Sequence, residues 1–216
     1  MTKVEHEFRD YENADLHFGV WEMLIKLNQI IDDSDPDTNL SQIQHAYQAG
    51  ARKDNQPRWL QLVCLIHDLG KVLALPPYNE PQHFVVGDTF PLGCQFSKNI
   101  VYYDFFKNNP DTNNERFNTK FGVYHENIGL ENVVMSYGHD EYLYNVVKDY
   151  IPKEAAFVIR FHSFYSCHSA GDYQYLLNED DLKNMEWVKK FNKYDLYTKA
   201  NEMVDEDSHD IIKYYK

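Results

Sequence analysis

Four histidines and two aspartates carry the chemistry this chain suggests: His45, His67, Asp68, His139, His162 and Asp195. They read as four imidazoles and two carboxylates gathered around two metal ions. A nitrogen and oxygen donor set without thiolates suits iron or manganese and disfavours structural zinc. Two ions shared by so few groups require a bridging carboxylate. Asp68 is the natural bridge, because its neighbour His67 is already pinned to the site.

Each residue has a plainer reading against which this one is weighed. A lone histidine is usually a satisfied core or surface group, and His6, His17, His83, His125, His168 and His209 are read that way. The His67–Asp68 pair is a stronger signal, because it ends an almost continuous apolar run. Burying an imidazole and a carboxylate there without partners would be expensive. A metal would compensate them, and so would an ion pair with Lys71, one turn further on. Gly138 lets the backbone approach closely beside His139. Ser163 follows His162 with a hydroxyl suited to a substrate or a bridging water, and Asp195 is a charge within an apolar and aromatic stretch. Asp140 and Glu141 could orient imidazoles, but solvated charges at a helix start are the favoured reading. The ligands come from five separate segments, so spacing alone is suggestive and no more.

The elements that must position these residues are mostly helices. A stripe of Trp21, Leu24, Ile25, Leu27, Ile30 and Ile31 predicts a first helix, ended by Asp32-Asp-Ser-Asp-Pro-Asp37, where Pro36 disfavours the α region at Asp35. Ser41 starts a second helix carrying His45. Pro57 opens a third, whose stripe of Leu60, Val63, Cys64 and Ile66 delivers His67 and Asp68, with Gly70 as its cap. From about 75 to 130 the pattern breaks up at prolines and asparagines, and Phe84-Val-Val86 with Ile100-Val-Tyr-Tyr103 predicts a small hairpin. Helices resume over 139–149, 153–162 and 179–191. The fold class expected is all-α, a helical bundle with a minor β-hairpin, in a single domain spanning 1–216.

Composition narrows the partners. The chain has 216 residues, 43% of them hydrophobic, including 13 Phe and 17 Tyr. That supports one substantial core. A formal net charge of −13 argues against nucleic acid and against an anionic membrane surface, both of which demand a basic face. With no membrane-length apolar run and no signal-peptide core, a cytoplasmic protein is expected. Cys64, Cys94 and Cys167 are scattered and odd in number, which suggests neither a disulfide framework nor a zinc ribbon. Cys64 is expected to be a buried thiol.

Taken together, Asp32-Asp-Ser-Asp-Pro-Asp37, His67-Asp-Leu-Gly-Lys71, Val86-Gly-Asp-Thr-Phe-Pro91, Ser136-Tyr-Gly-His-Asp-Glu-Tyr142, Arg160-Phe-His-Ser-Phe-Tyr165 and Phe191-Asn-Lys-Tyr-Asp-Leu-Tyr-Thr-Lys199 resemble the myo-inositol oxygenase family. The likeness runs from about Trp21 to Lys199, with Phe8-Arg-Asp-Tyr11 as an outlying match. His-Asp alone is common to the wider HD-domain superfamily. The ordered set is highly specific.

The resemblance implies an HD-domain-like helical fold and two iron ions in the mixed-valent iron(II)/iron(III) state. His45, His67 and Asp195 would hold one iron, His139 and His162 the other, and Asp68 would bridge them. The implied substrates are myo-inositol and dioxygen, the product D-glucuronate, and a monomer is expected. Asp32, Ser34, Gly87, Asp88, His162, Ser163 and Lys199 match substrate-contacting positions. Lys71 does too, where its ammonium would favour an ionised substrate hydroxyl. Arg9 matches only through the short Phe8–Tyr11 motif.

The chain also departs from the family pattern. Only Glu12 to Val20 stand between that motif and Trp21, where a longer helical stretch is usual, so residues 1–20 form a shortened covering segment and an open pocket is expected. Cys64 replaces a glycine, Ser166-Cys167 replaces Pro-Trp, and the 75–83 loop diverges. Two other readings stand beside this one: an HD-domain metal-dependent phosphohydrolase acting on a nucleotide or phosphoester, and an inactive metal- or partner-binding relative. The first needs a basic phosphate pocket, for which Lys71, Lys199, Arg9 and Arg160 are the candidates.

Overall fold

The computed structural model describes residues 19–27, 30, 56–81 and 85–197. Its α-helices are α1 (Val20–Leu27), α2 (Arg58–Ile66), α3 (His139–Val147), α4 (Lys153–Phe161), the short α5 (Tyr165–His168) and α6 (Glu179–Tyr197), with 3-10 segments between them. The all-α expectation holds. The hairpin does not: Ile100 to Tyr102 form a turn that leads into a 3-10 segment, Tyr103–Asn108. The strand-like feature among the described residues is a single antiparallel bridge, Pro91 to Met135. Short apolar runs are ambiguous by periodicity, and the alternative won here because this stretch wraps the helices as irregular backbone.

The prolines mark helix starts as expected. Pro57 and Pro152 stand at the N-caps of α2 and α4, where a missing N–H costs least. Helix α6 is capped by a reciprocal pair. The Asn178 side-chain oxygen accepts the N–H groups of Asp180 and Asp181, and Asp181 accepts the N–H of Asn178, a capping-box arrangement. The helix runs on to Tyr197, beyond the expected end at 191.

Helix α3 packs on the 3-10 segment His67–Ala74 and on α4, α4 packs on α6, and α2 touches both α4 and α6. Leu24, Leu27, Leu60, Val63, Val158, Ile159, Phe161, Phe164 and Phe191 form the core between them. Each such side chain contributes ~1.5–3 kcal/mol on burial. Trp59 and Trp187 close one side edge-to-face, with ring centroids 4.9 Å apart. Cys64 is buried as expected, and so are Ser166 and Cys167.

Gly70 takes a different role from the cap expected of it. It lies inside the 3-10 segment, and a Cβ built there would collide with the carbonyl group and Cα of His139. The glycine lets the segment bearing His67 and Asp68 seat directly on the start of α3.

Candidate metal centre

Five of the six expected ligands converge within the core. His67, Asp68, His139, His162 and Asp195 are all buried, as are Lys71, Asp140 and Ser163. His67 and Asp68 follow α2 directly, because the apolar run Leu60–Ile66 pulls that end of the helix inward. His139 opens α3, and His162 closes α4. Asp195 reaches the site because α6 continues past Phe191: Val188, Phe191, Asn192 and Asp195 share its buried face.

Three imidazoles are held the same way. The Nδ1 of His67 lies 3.0 Å from the Cys64 carbonyl, that of His139 2.8 Å from the Val85 carbonyl, and that of His162 2.9 Å from the Ile159 carbonyl. A ring nitrogen facing a carbonyl must carry the proton, which leaves Nε2 as a lone pair. Those Nε2 atoms face one another and the carboxylates. His139 and His162 stand 3.3 Å apart at Nε2. His67 Nε2 is 3.5 Å from both Asp68 Oδ2 and Asp195 Oδ1. Asp68 Oδ1 is 3.6 Å from His139 Nε2 and 3.9 Å from His162 Nε2. Thus Asp68 offers one oxygen toward His67 and the other toward the His139–His162 pair, the disposition a bridge needs.

This donor set fits a cation. Donors ~2.1 Å from one ion and at right angles to each other stand ~3 Å apart, near the separations seen here. Converging lone pairs and carboxylates are mutually repulsive until a positive charge enters. In the metal-free chain protons and Lys71 supply part of it. Burial would raise Asp68, but Lys71, His67, His139 and His162 together hold it well below the usual carboxylate range. Burial lowers His139. For His162 burial is overcome by Asp140, Asp68 and Asp195, which push it up to about 9.

Lys71 donates to Asp68 Oδ2 at 3.1 Å, so the ion pair considered from sequence exists beside the cluster rather than in place of it. Ser163 donates to Asp140 Oδ2 at 2.7 Å and accepts the Thr89 N–H at 3.0 Å. Gly87, with φ +99°, has open space where a side chain would project, and it delivers Asp88 to the same region. Asp88 accepts the Val101 N–H at 3.1 Å, and burial raises its carboxyl to about 6. Arg9, Asp32, Ser34, His45 and Lys199 lie outside the described residues.

One correction belongs here. Asp140 and Glu141 are not solvated charges. Asp140 is buried beside His162, and Glu141 receives a bidentate pair from Arg160, at 2.6 and 3.0 Å, that straps α3 to α4. His168 is the satisfied histidine expected of it, its Nε2 lying 3.0 Å from the His162 carbonyl. Tyr165 is a further residue of this region: its phenol is pushed upward by burial and then by Asp195, Asp68, Asp140 and Asp88. Its position at the end of the Arg160–Tyr165 motif was the available signal.

Comparison with known proteins agrees with the geometry. A family model described as myo-inositol oxygenase matches residues 1–216. A protein of Oryza sativa subsp. japonica named "Probable inositol oxygenase" is 51% identical over 212 residues, covering 95% of this chain and 68% of that protein. An "Inositol oxygenase" of Dictyostelium discoideum is 44% identical over 249 residues, covering 96% and 85%. One of Danio rerio is 50% identical over 243 residues, covering 94% and 87%. The last two alignments run longer than the chain's own 216 residues, so those relatives carry residues inside the matched span that have no counterpart here.

Proposed function

The chain belongs to the myo-inositol oxygenase family, and on that premise we propose that its buried histidine–aspartate cluster holds two irons and opens the ring of myo-inositol with dioxygen to give D-glucuronate and water. The observation that supports this most is the common anchoring of three imidazoles through Nδ1, which turns three Nε2 lone pairs toward Asp68 and Asp195. His45, His67 and Asp195 would hold one iron and His139 and His162 the other, with Asp68 shared between them. When bound, a mixed-valent pair supplies Lewis acidity and the redox capacity for dioxygen chemistry.

The remaining residues act on the polyol. An uncharged cyclohexane polyol must be recognised through hydrogen bonds to its hydroxyls. Asp32, Ser34, Gly87, Asp88, His162, Ser163 and Lys199, with Arg9, would supply those hydrogen bonds. Asp88 offers a carboxyl to a hydroxyl pair, and Gly87 leaves room for the ring. Lys71, a buried ammonium beside Asp68, favours the ionised form of a substrate hydroxyl. The protein acts as a cytoplasmic monomer of one domain. No helix among the described residues is long and apolar enough to cross a membrane.

The phosphohydrolase reading has no support from the family match, and Arg160, one of its candidate phosphate cations, is committed to Glu141. The deciding experiment supplies anaerobically iron-loaded protein with myo-inositol and oxygen, and measures oxygen uptake and glucuronate together. Uptake dependent on myo-inositol is expected. Hydrolysis of a phosphoester with no oxygen uptake would replace this reading with the hydrolase.

A further inference from the structure

Asp140 is a buried acid outside the ligand set, and it touches both halves of the site. It is 2% exposed and lies in the first turn of α3, where the helix N-terminus favours a carboxylate. Its Oδ1 is 2.8 Å from His162 Nδ1, and its Oδ2 accepts the Ser163 hydroxyl at 2.7 Å. Ser163 Oγ also accepts the Thr89 N–H at 3.0 Å.

A hydroxyl has one proton and two lone pairs. With its proton on Asp140 and one lone pair taken by Thr89, Ser163 has only an acceptor site left. It can receive a hydrogen bond from a substrate hydroxyl and cannot give one. On the other side, His162 Nδ1 faces the Ile159 carbonyl at 2.9 Å, which sets the tautomer, and the Asp140 carboxylate 2.8 Å away adds a negative charge that raises the basicity of a ligating imidazole.

We propose that Asp140 is a positioning residue that strengthens His162 as an Nε2 ligand through its charge and fixes Ser163 as a hydrogen-bond acceptor for the polyol, so that one carboxylate tunes both metal retention and hydroxyl recognition. The Ser163 half rests on the inositol oxygenase reading above. The His162 half requires only that the cluster hold iron.

The test compares wild type, Asp140→Asn, Ser163→Ala and the double variant as full chains, loaded with iron(II) under anaerobic conditions. Iron per chain, the rate of iron loss to an excess of chelator, and myo-inositol affinity by anaerobic calorimetry are measured. Asp140→Asn should bind as much iron as wild type and release it roughly 10–100-fold faster. Ser163→Ala should keep its iron and bind myo-inositol about fivefold more weakly. Asp140→Asn should weaken myo-inositol binding at least as much, and adding Ser163→Ala to it should cost nothing further.

Wild-type iron release in Asp140→Asn overturns the proposal. So do multiplicative losses in the double variant, and so does loss of one whole iron, which would make Asp140 a ligand. If Asp140→Asn does not fold, Asp140→Glu carries the same comparison: it keeps the charge and displaces the oxygens, and unchanged iron release would defeat the idea. A wild-type chain that binds no myo-inositol defeats the substrate reading and the Ser163 half together, while iron release decides the His162 half by itself.

Discussion

At the scale of single residues, the proposed function separates groups that would hold metal from groups that would act on substrate. Asp68 presents one oxygen to His67 and the other to His139 and His162, whereas His139 serves one side only. Asp68→Ala should therefore lose more iron than His139→Ala when both are assayed by elemental analysis after anaerobic loading. Equal losses would remove the bridge. Lys71 is a cation beside that carboxylate and not a donor to metal. Lys71→Ala should keep its iron and lose turnover by about a hundredfold or more, on the order of a few kcal/mol of transition-state stabilisation. Turnover at the wild-type level would take the lysine out of the reaction.

At the scale of elements, the centre depends on how closely the His67–Ala74 segment sits on α3. Gly70→Ala would drive a methyl group into the His139 backbone. It should destabilise the fold by roughly 3 kcal/mol and lower iron content along with Tm. A variant that melts and loads like wild type would mean the segment can move aside. Helix α5 adds a pH dependence through His168, which lies against the His162 carbonyl. Burial lowers His168 from its ordinary 6.5 to about 4, so the unfolded chain takes up a proton before the folded one does. Its contribution is complete above pH 6.5 and is lost as pH falls toward 4. In the metal-free protein, denaturant unfolding at pH 7 and pH 5 should show an acid loss that His168→Gln reduces. An identical loss in the variant would assign the acid sensitivity to other groups.

At the scale of the whole molecule, the question is how well the pocket closes. The Danio rerio and Dictyostelium discoideum alignments extend over more positions than this chain has residues, in keeping with the short stretch between Tyr11 and Trp21. Covering elements exclude water and protect reactive oxygen species from side reactions. If the short stretch leaves the site less covered, myo-inositol should bind weakly, and more oxygen should be consumed than glucuronate formed. One-to-one stoichiometry together with tight binding would show that other parts of the chain, such as 78–83, close the site.

The sequence by itself determined the fold class, the proline-marked starts of α2 and α4, and the identity of the ligand candidates, because burying His67, Asp68 and Asp195 among apolar neighbours demands compensation wherever they fold. Only the tertiary structure decided which atoms meet. Asp140 looked like a solvated helix-start charge, since a sequence shows that a carboxylate begins a helix but not what lies across from it. Gly70 looked like a cap, since a collision with the His139 backbone some seventy residues away has no local signature. Asp195 reached the cluster because α6 ran on past Phe191, held by packing on α4 rather than by its own propensity, and long-range packing is the term that local pattern cannot carry.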